Sequence, residues 1–157
     1  VRELKRDGPV WRAECVEVVL DPFAEGTKHM HFIATPSATG VYDARRGYID
    51  DPLHPLVLSG GEDATWNPEW KHAFSIDKER KTWTVELAIP FASLEVPPPA
   101  DGSRWRANFA RERNRATWGL DKYKTAAQDV YLWSPNLQKV SILDPTAAGD
   151  LYFGRKP

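Results

Sequence analysis

The chain has 157 residues, 41% of them hydrophobic and 27% charged, with a net charge of -1 at pH 7. That length predicts one domain with a real core, and the near-zero charge removes the electrostatic case for nucleic acid or an anionic membrane as partner. No window approaches the roughly 20 apolar residues of a membrane span, and the single cysteine, Cys15, excludes an internal disulfide and a zinc box of thiolates.

Residues 16–20, apolar but for Glu17, alternate little and predict a central strand covered on both faces. Cys15 at its start reads as a small packed hydrophobe, and Asp21-Pro22-Phe23-Ala24-Glu25-Gly26 closes it with turn chemistry. Residues 29–35 alternate, which puts Met30, Phe32 and Ala34 on one face and His29, His31 and Ile33 on the other. A short return strand is expected over 39–43, then a loop over 45–61 containing Pro52 and Pro55. Residues 70–76 and 82–89 predict a hairpin around Asp77-Lys78-Glu79-Arg80-Lys81, ended by Pro90. At most one helical turn is expected over 91–94, and three consecutive prolines make 96–102 a stiff surface connection. A strand over 105–111, a polar stretch over 114–129 with a short helical turn, and short strands over 131–134 and 151–153 complete the pass. Regularly spaced strands with almost no helix predict an all-β fold, an antiparallel β-sandwich or jelly roll, as one domain over 1–157. A chain that starts at Val1 reads as part of a longer protein.

The residues that carry chemistry point to binding rather than catalysis. Glu14 and Glu17, three apart on a strand, project from opposite faces and make no acid–base pair. Neither a phosphate loop nor a nucleophile elbow is present. His29 and His31 share a face and reach a metal only with further ligands, for which Glu17, His54 and His72 are candidates; a solvated polar face is the expected outcome. Met30, the only methionine, faces the other way, into the core, which argues against haem ligation. Oxygen-rich turns make Asp21 and Asp43 candidate ligands of a structural calcium, and no other cofactor is expected. Seven tryptophans are the compositional anomaly: exposing all of them would leave a large apolar patch, yet one or two suffice for a binding site. Trp83, Trp105 and Trp133 are expected in the core, and Trp66, within Trp66-Asn67-Pro68-Glu69-Trp70, at the surface.

Trp11 with Val16-Glu17-Val18-Val19-Leu20-Asp21, then Phe32-Ile33-Ala34 and Val41-Tyr42-Asp43, open an ordered series. It continues through Trp83-Thr84-Val85-Glu86-Leu87-Ala88-Ile89-Pro90-Phe91, Asn108-Phe109-Ala110-Arg111, Trp133-Ser134-Pro135, Asp144-Pro145 and Gly149-Asp150-Leu151-Tyr152-Phe153. Over nearly the whole chain the series resembles family 9 carbohydrate-binding modules and their DOMON-like relatives. The resemblance implies a jelly-roll or immunoglobulin-like β-sandwich that binds a mono- or oligosaccharide without catalysis, in a secreted or cell-surface bacterial protein. Family members clamp a sugar ring between two tryptophans while polar side chains read its hydroxyls. Trp11 matches the first clamp and Glu17 an acidic ligand position; Arg111 is implied to hold hydroxyls and His31 to lie on the rim. The chain departs from the pattern at Ile142, where the second clamp is expected, at Ile33, Thr35 and Ala110, and in having only ten residues ahead of Trp11. The last departure implies that a preceding segment or another chain completes the sheet. Two alternatives stay open: a structural or protein-interaction sandwich that has lost the sugar site, which the Ile142 departure supports, and a haem- or metal-binding DOMON-like domain, which the resemblance to DOMON relatives implies.

Overall fold

The structure, a computed structural model, describes residues 6–36, 42–48, 62–115, 127–134, 142–144 and 147–154. Its strands are β1 (Cys15–Asp21), β2 (Lys28–Ala34), β3 (Tyr42–Tyr48), β4 (Glu62–Asp63), β5 (Lys71–Asp77), β6 (Thr82–Ala88), β7 (Arg104–Arg115), β8 (Ala127–Leu132) and β9 (Gly149–Tyr152), with single 3-10 turns at Val10–Arg12 and Phe91–Leu94. The all-β, antiparallel expectation holds among the described residues.

Parity along β1 decides what each face of the main sheet becomes. Val18 stands opposite Phe32 of β2 and Phe109 of β7, while Glu17 stands opposite Ile33 and Ala110. β3 pairs with the outer side of β2, with His31 opposite Arg45, and β4 pairs with the end of β3. On the other side, the long β7 pairs with β8 along residues 110–115 and with β9 along residues 104–107. The order is β4-β3-β2-β1-β7-β8, with β9 also on β7. β5 and β6 form a separate antiparallel hairpin.

One face of the main sheet is apolar. Val18, Leu20, Phe32, Ala44, Trp105 and Ala107 are buried there with Leu94, and Trp66, Trp70, Leu87, Ile89 and Phe153 pack against them. Phe32 is the centre: it is fully buried and meets Trp66 and Trp70 edge-on at 5.7 and 5.3 Å. Edge-on aromatic pairs add to the burial term because the positive ring edge meets a negative face.

The expected central strand, hairpin and 3-10 turn are all present, and Met30 turns toward the apolar core as its parity requires. Four expectations change. β3 runs through Tyr48, so residues 45–48 are strand rather than loop, and β7 extends to Arg115. Residues 127–129 belong to β8 rather than to a polar connection. Trp133, expected in the core, is 53% exposed and meets the Phe109 ring at a steep angle, 5.4 Å between centroids. His54, Pro52, Pro55 and Trp118 lie outside the described residues. Replacing Phe32 with alanine is expected to cost about 3–5 kcal/mol, the range for deleting a buried aromatic, measured by denaturant unfolding.

Candidate functional site

The opposite face of the same sheet is polar and nevertheless buried. Glu17 on β1, His29 and His31 on β2, Asp43 and Arg45 on β3, and Asn108 and Glu112 on β7 all point to it and are all buried. Burying so many polar groups is tolerable only if they satisfy one another.

They do so around His31. Its Nε2 lies 2.6 Å from Glu17 Oε2 and its Nδ1 lies 2.9 Å from Glu62 Oε1. Carboxylates accept, so each ring nitrogen must donate and His31 is an imidazolium. Burial alone would lower its pKa; hydrogen bonds to Glu17 and Glu62 and their charges outweigh that and push it up to about 9. His29 Nε2 donates to the same Glu62 oxygen at 3.2 Å. Burial pushes the Glu62 carboxyl up, but the two histidines overcome this and hold it well below the usual carboxylate range. At the other end of the row, burial first and then the charge and hydrogen bond of Glu17 hold the Glu112 carboxyl well above that range. Glu112 therefore keeps its proton beside Glu17, as one of two neighbouring buried carboxyls does. The row runs Glu112, Glu17, His31, Glu62, His29. Glu112 Oε2 and His29 Nδ1 have no hydrogen-bond partner among the described residues.

Gly47 makes the far end of the row possible. It lies opposite His29 on one side and Glu62 on the other, so β3 separates the two side chains that bond. A Cβ there would overlap the His29 ring.

Trp11 sits beside this face. It follows Val10 in the first 3-10 turn and packs against Val10, Cys15 and Ile33, and the Cys15 thiol donates to its carbonyl at 3.9 Å. Burial, followed by the charges of Glu17, Glu112 and Glu14, pushes the Cys15 thiol up, so it stays protonated and packs as an inert hydrophobe. Arg45 lies 4.7 Å over the Trp11 ring and is tied to Asp43 at 2.7 Å and to the Gly8 carbonyl at 2.7 Å.

Of the residues expected at a ligand site, Trp11, Glu17 and His31 are brought to one face. Arg111 is not: it pairs with Val16, points to the other face, and bonds Glu14 at 2.6 Å over the Trp83 ring. Trp66 is also on that other side, against Phe32. Asp21 and Asp43 do not meet. They are two strands apart and four residues out of level; Asp21 accepts the Phe23 and Gly26 N–H groups, and Asp43 accepts Ala44 N–H and Arg45. Among the described residues, no three His, Cys, Asp or Glu side chains are arranged to hold a metal. Met30 lies on the face away from His29 and His31, so the three do not converge on one group.

Sequence reasoning missed Glu62, Glu112, Arg45 and Gly47. Glu112 follows Asn108 and Ala110 at period two, a signal that was available; Glu62 lies in what reads as a loop. No protein-family model, characterised protein or solved structure matches the chain.

Two outcomes follow from the row. His31, raised in the folded state, contributes stability that is complete below its ordinary value of 6.5 and is lost as pH rises through about 9. Glu62, depressed, contributes stability that is complete above its ordinary 4.5 and is lost as pH falls below it. Glu112, raised, keeps a proton that the unfolded chain releases above 4.5, so its contribution is lost as pH rises from there toward neutrality. Thermal stability is expected to peak in mildly acid solution and fall on both sides, and Glu112→Gln is expected to flatten the decline toward neutral pH; a melting-temperature profile checks both. Gly47→Ala is expected to displace the His29 ring and cost about 1–3 kcal/mol, the range for overpacking, with a shifted His29 ring resonance.

Proposed function

We propose that this chain is a noncatalytic carbohydrate-binding module, an antiparallel β-sandwich of the family 9 kind, within a secreted or surface-exposed protein. One observation carries the reading: the Trp11 ring lies at the edge of a sheet face on which Asp43 fixes Arg45, and Glu17 and Glu62 fix His31. A flat aromatic beside fixed polar groups is what a sugar ring needs, since its C–H face lies on the aromatic while its hydroxyls bond charged neighbours. Glu17 and His31 are each 3% exposed and bonded to one another, so their part is to brace this face rather than to read hydroxyls themselves. The noncatalytic part is supported by Glu17 and Glu112, which lie in hydrogen-bond contact. A glycosidase pair stands about 5 Å or more apart. Ile76, Tyr131 and Trp133 are each more than half exposed, which fits a further segment or chain completing the hairpin layer.

A second reading has its own observation. Glu17 closes on His31, and Arg45 covers one face of Trp11, so the same residues also suit a scaffold or protein-interaction sandwich without a sugar site. Calorimetric titration with xylo-, cello- and manno-oligosaccharides separates the two. The wild type is expected to bind with dissociation constants of roughly micromolar to millimolar. Trp11→Ala, checked as folded by circular dichroism, is expected to bind at least about tenfold more weakly, or about 1.4 kcal/mol. Heat that survives in the variant removes Trp11 from the site; no heat from the wild type favours the scaffold.

A further inference from the structure

Where β1 turns into β2, a cavity of about 120 Å³ opens between Phe23 and Trp66, with Lys28, His29, Arg46 and Glu95 also lining it. Phe23 is 50% exposed, so burial does not explain an aromatic there. Its loop is nevertheless held firmly. The buried Asp21 carboxylate accepts the N–H groups of Phe23 at 3.0 Å and Gly26 at 2.7 Å, and Ala24 and Gly26 take left-handed backbone with φ of 54° and 74°. An exposed ring on a braced loop is preorganised for contact, because little side-chain or loop entropy remains to be lost on binding. The facing wall is equally fixed, with Trp66 edge-on to the buried Phe32 at 5.7 Å.

The charges around the cavity select the ligand. Lys28 Nζ lies 5.5 Å over the Phe23 ring, and Arg46 is 3.4 Å from Asp63 and 3.6 Å from Glu95. The cations are thus matched by two carboxylates. An anion would meet Glu95, with Arg46 already paired to Asp63, and a purely apolar ligand would strip water from charged groups without replacing its hydrogen bonds. A neutral polyhydroxylated ring does neither: its C–H face lies on an aromatic wall, and its hydroxyls donate to Glu95 and accept from Lys28 and Arg46. The volume is below the roughly 300–1,000 Å³ of a site that encloses a drug-sized ligand, so the cavity takes one ring at the end of a chain.

We infer that this pocket is a second saccharide site, receiving a single neutral terminal sugar ring between Phe23 and Trp66, an inference that rests on the carbohydrate-binding reading above. It is separate from Trp11. Trp11 packs on Ile33, whereas His29 lines the pocket, four residues away along β2 or roughly 13 Å.

The test titrates wild type, Phe23→Ala, Glu95→Gln and Trp11→Ala with the same oligosaccharides, following heat and the tryptophan indole N–H resonances. Two sites per chain are expected in the wild type. Phe23→Ala and Glu95→Gln are each expected to weaken one of them at least tenfold without lowering the melting temperature, because both side chains are exposed. Wild-type binding that Phe23→Ala and Glu95→Gln leave unchanged overturns the pocket and spares the carbohydrate reading. Binding that these two variants weaken and Trp11→Ala does not supports the pocket and removes Trp11. Absence of binding by every protein overturns both.

Discussion

An imidazolium held between two carboxylates is the constraint that the polar face depends on. Desolvating each charge costs several kcal/mol even after relaxation, and the cost is offset only because His31 makes a charge-assisted hydrogen bond on each side, at 2.6 and 2.9 Å. Both bonds need the register as it stands, with Glu17 on β1 and Glu62 on β4 reaching the same ring on β2. β4 has only two residues, so its ladder with β3 is short. The bonds of Glu62 to His29 and His31 supply the tie across β3 that ladder length does not. The same two residues put acidic side chains on that end of the sheet, and charge on an edge discourages pairing with another chain.

A different local problem is solved on the outer edge of β7, where one strand serves two partners. β9 pairs up to Ala107 and β8 begins at Ala110, which leaves residues 108 and 109 at the junction. Asn108, fully buried, fills it. Its Oδ1 accepts the N–H groups of Phe109 at 3.0 Å and Ser134 at 3.1 Å, and its Nδ2 donates to the Ser134 carbonyl at 3.4 Å. Trp133 N–H adds a bond to the Phe109 carbonyl at 2.8 Å. Gly149 at the start of β9 is needed for close approach, since a Cβ there would lie 2.7 Å from the Trp133 ring. A two-sided strand with an amide at the join needs no turn signal, which is why the end of β8 and start of β9 were only loosely placed by the sequence.

How much was legible follows from contrast between faces. Over β2, apolar and polar residues alternate against unlike surroundings, so the shared face of His29 and His31 and the inward turn of Met30 could be read from period two alone. β3 defeats the same logic: Arg45 and Arg46 are adjacent and both charged, so nothing alternates, and the run reads as loop. One of them is nonetheless buried because Asp43 and Gly8 bond it, a tertiary fact. Arg111 shows the limit of parity without register. It sits on a strand beside Glu17's strand, but whether it shares Glu17's face depends on a pairing that places it opposite Val16. Trp133 is expected inside because it sits in a strand motif, yet it lies beyond the end of β8, against Phe109 and Gly149, and is half exposed.

The charge of the polar row also bears on what can approach it. Glu17 and Glu62 are negative and His31 positive, so these three leave one negative charge while Glu112 holds its proton, and a second appears when it lets go. Arg45 does not redress this, because Asp43 already neutralises it. An anionic ligand at Trp11 would therefore be repelled more strongly as pH rises. A neutral ring would feel only the change in local dipoles. Arg45, tied at both ends, cannot swing away from Trp11, so a ring stacked there must use the face that the guanidinium does not cover. On the proposed carbohydrate reading, one wall rather than two removes less C–H surface from water, so a ring stacked on Trp11 would bind more weakly than one held in the proposed pocket between two aromatics.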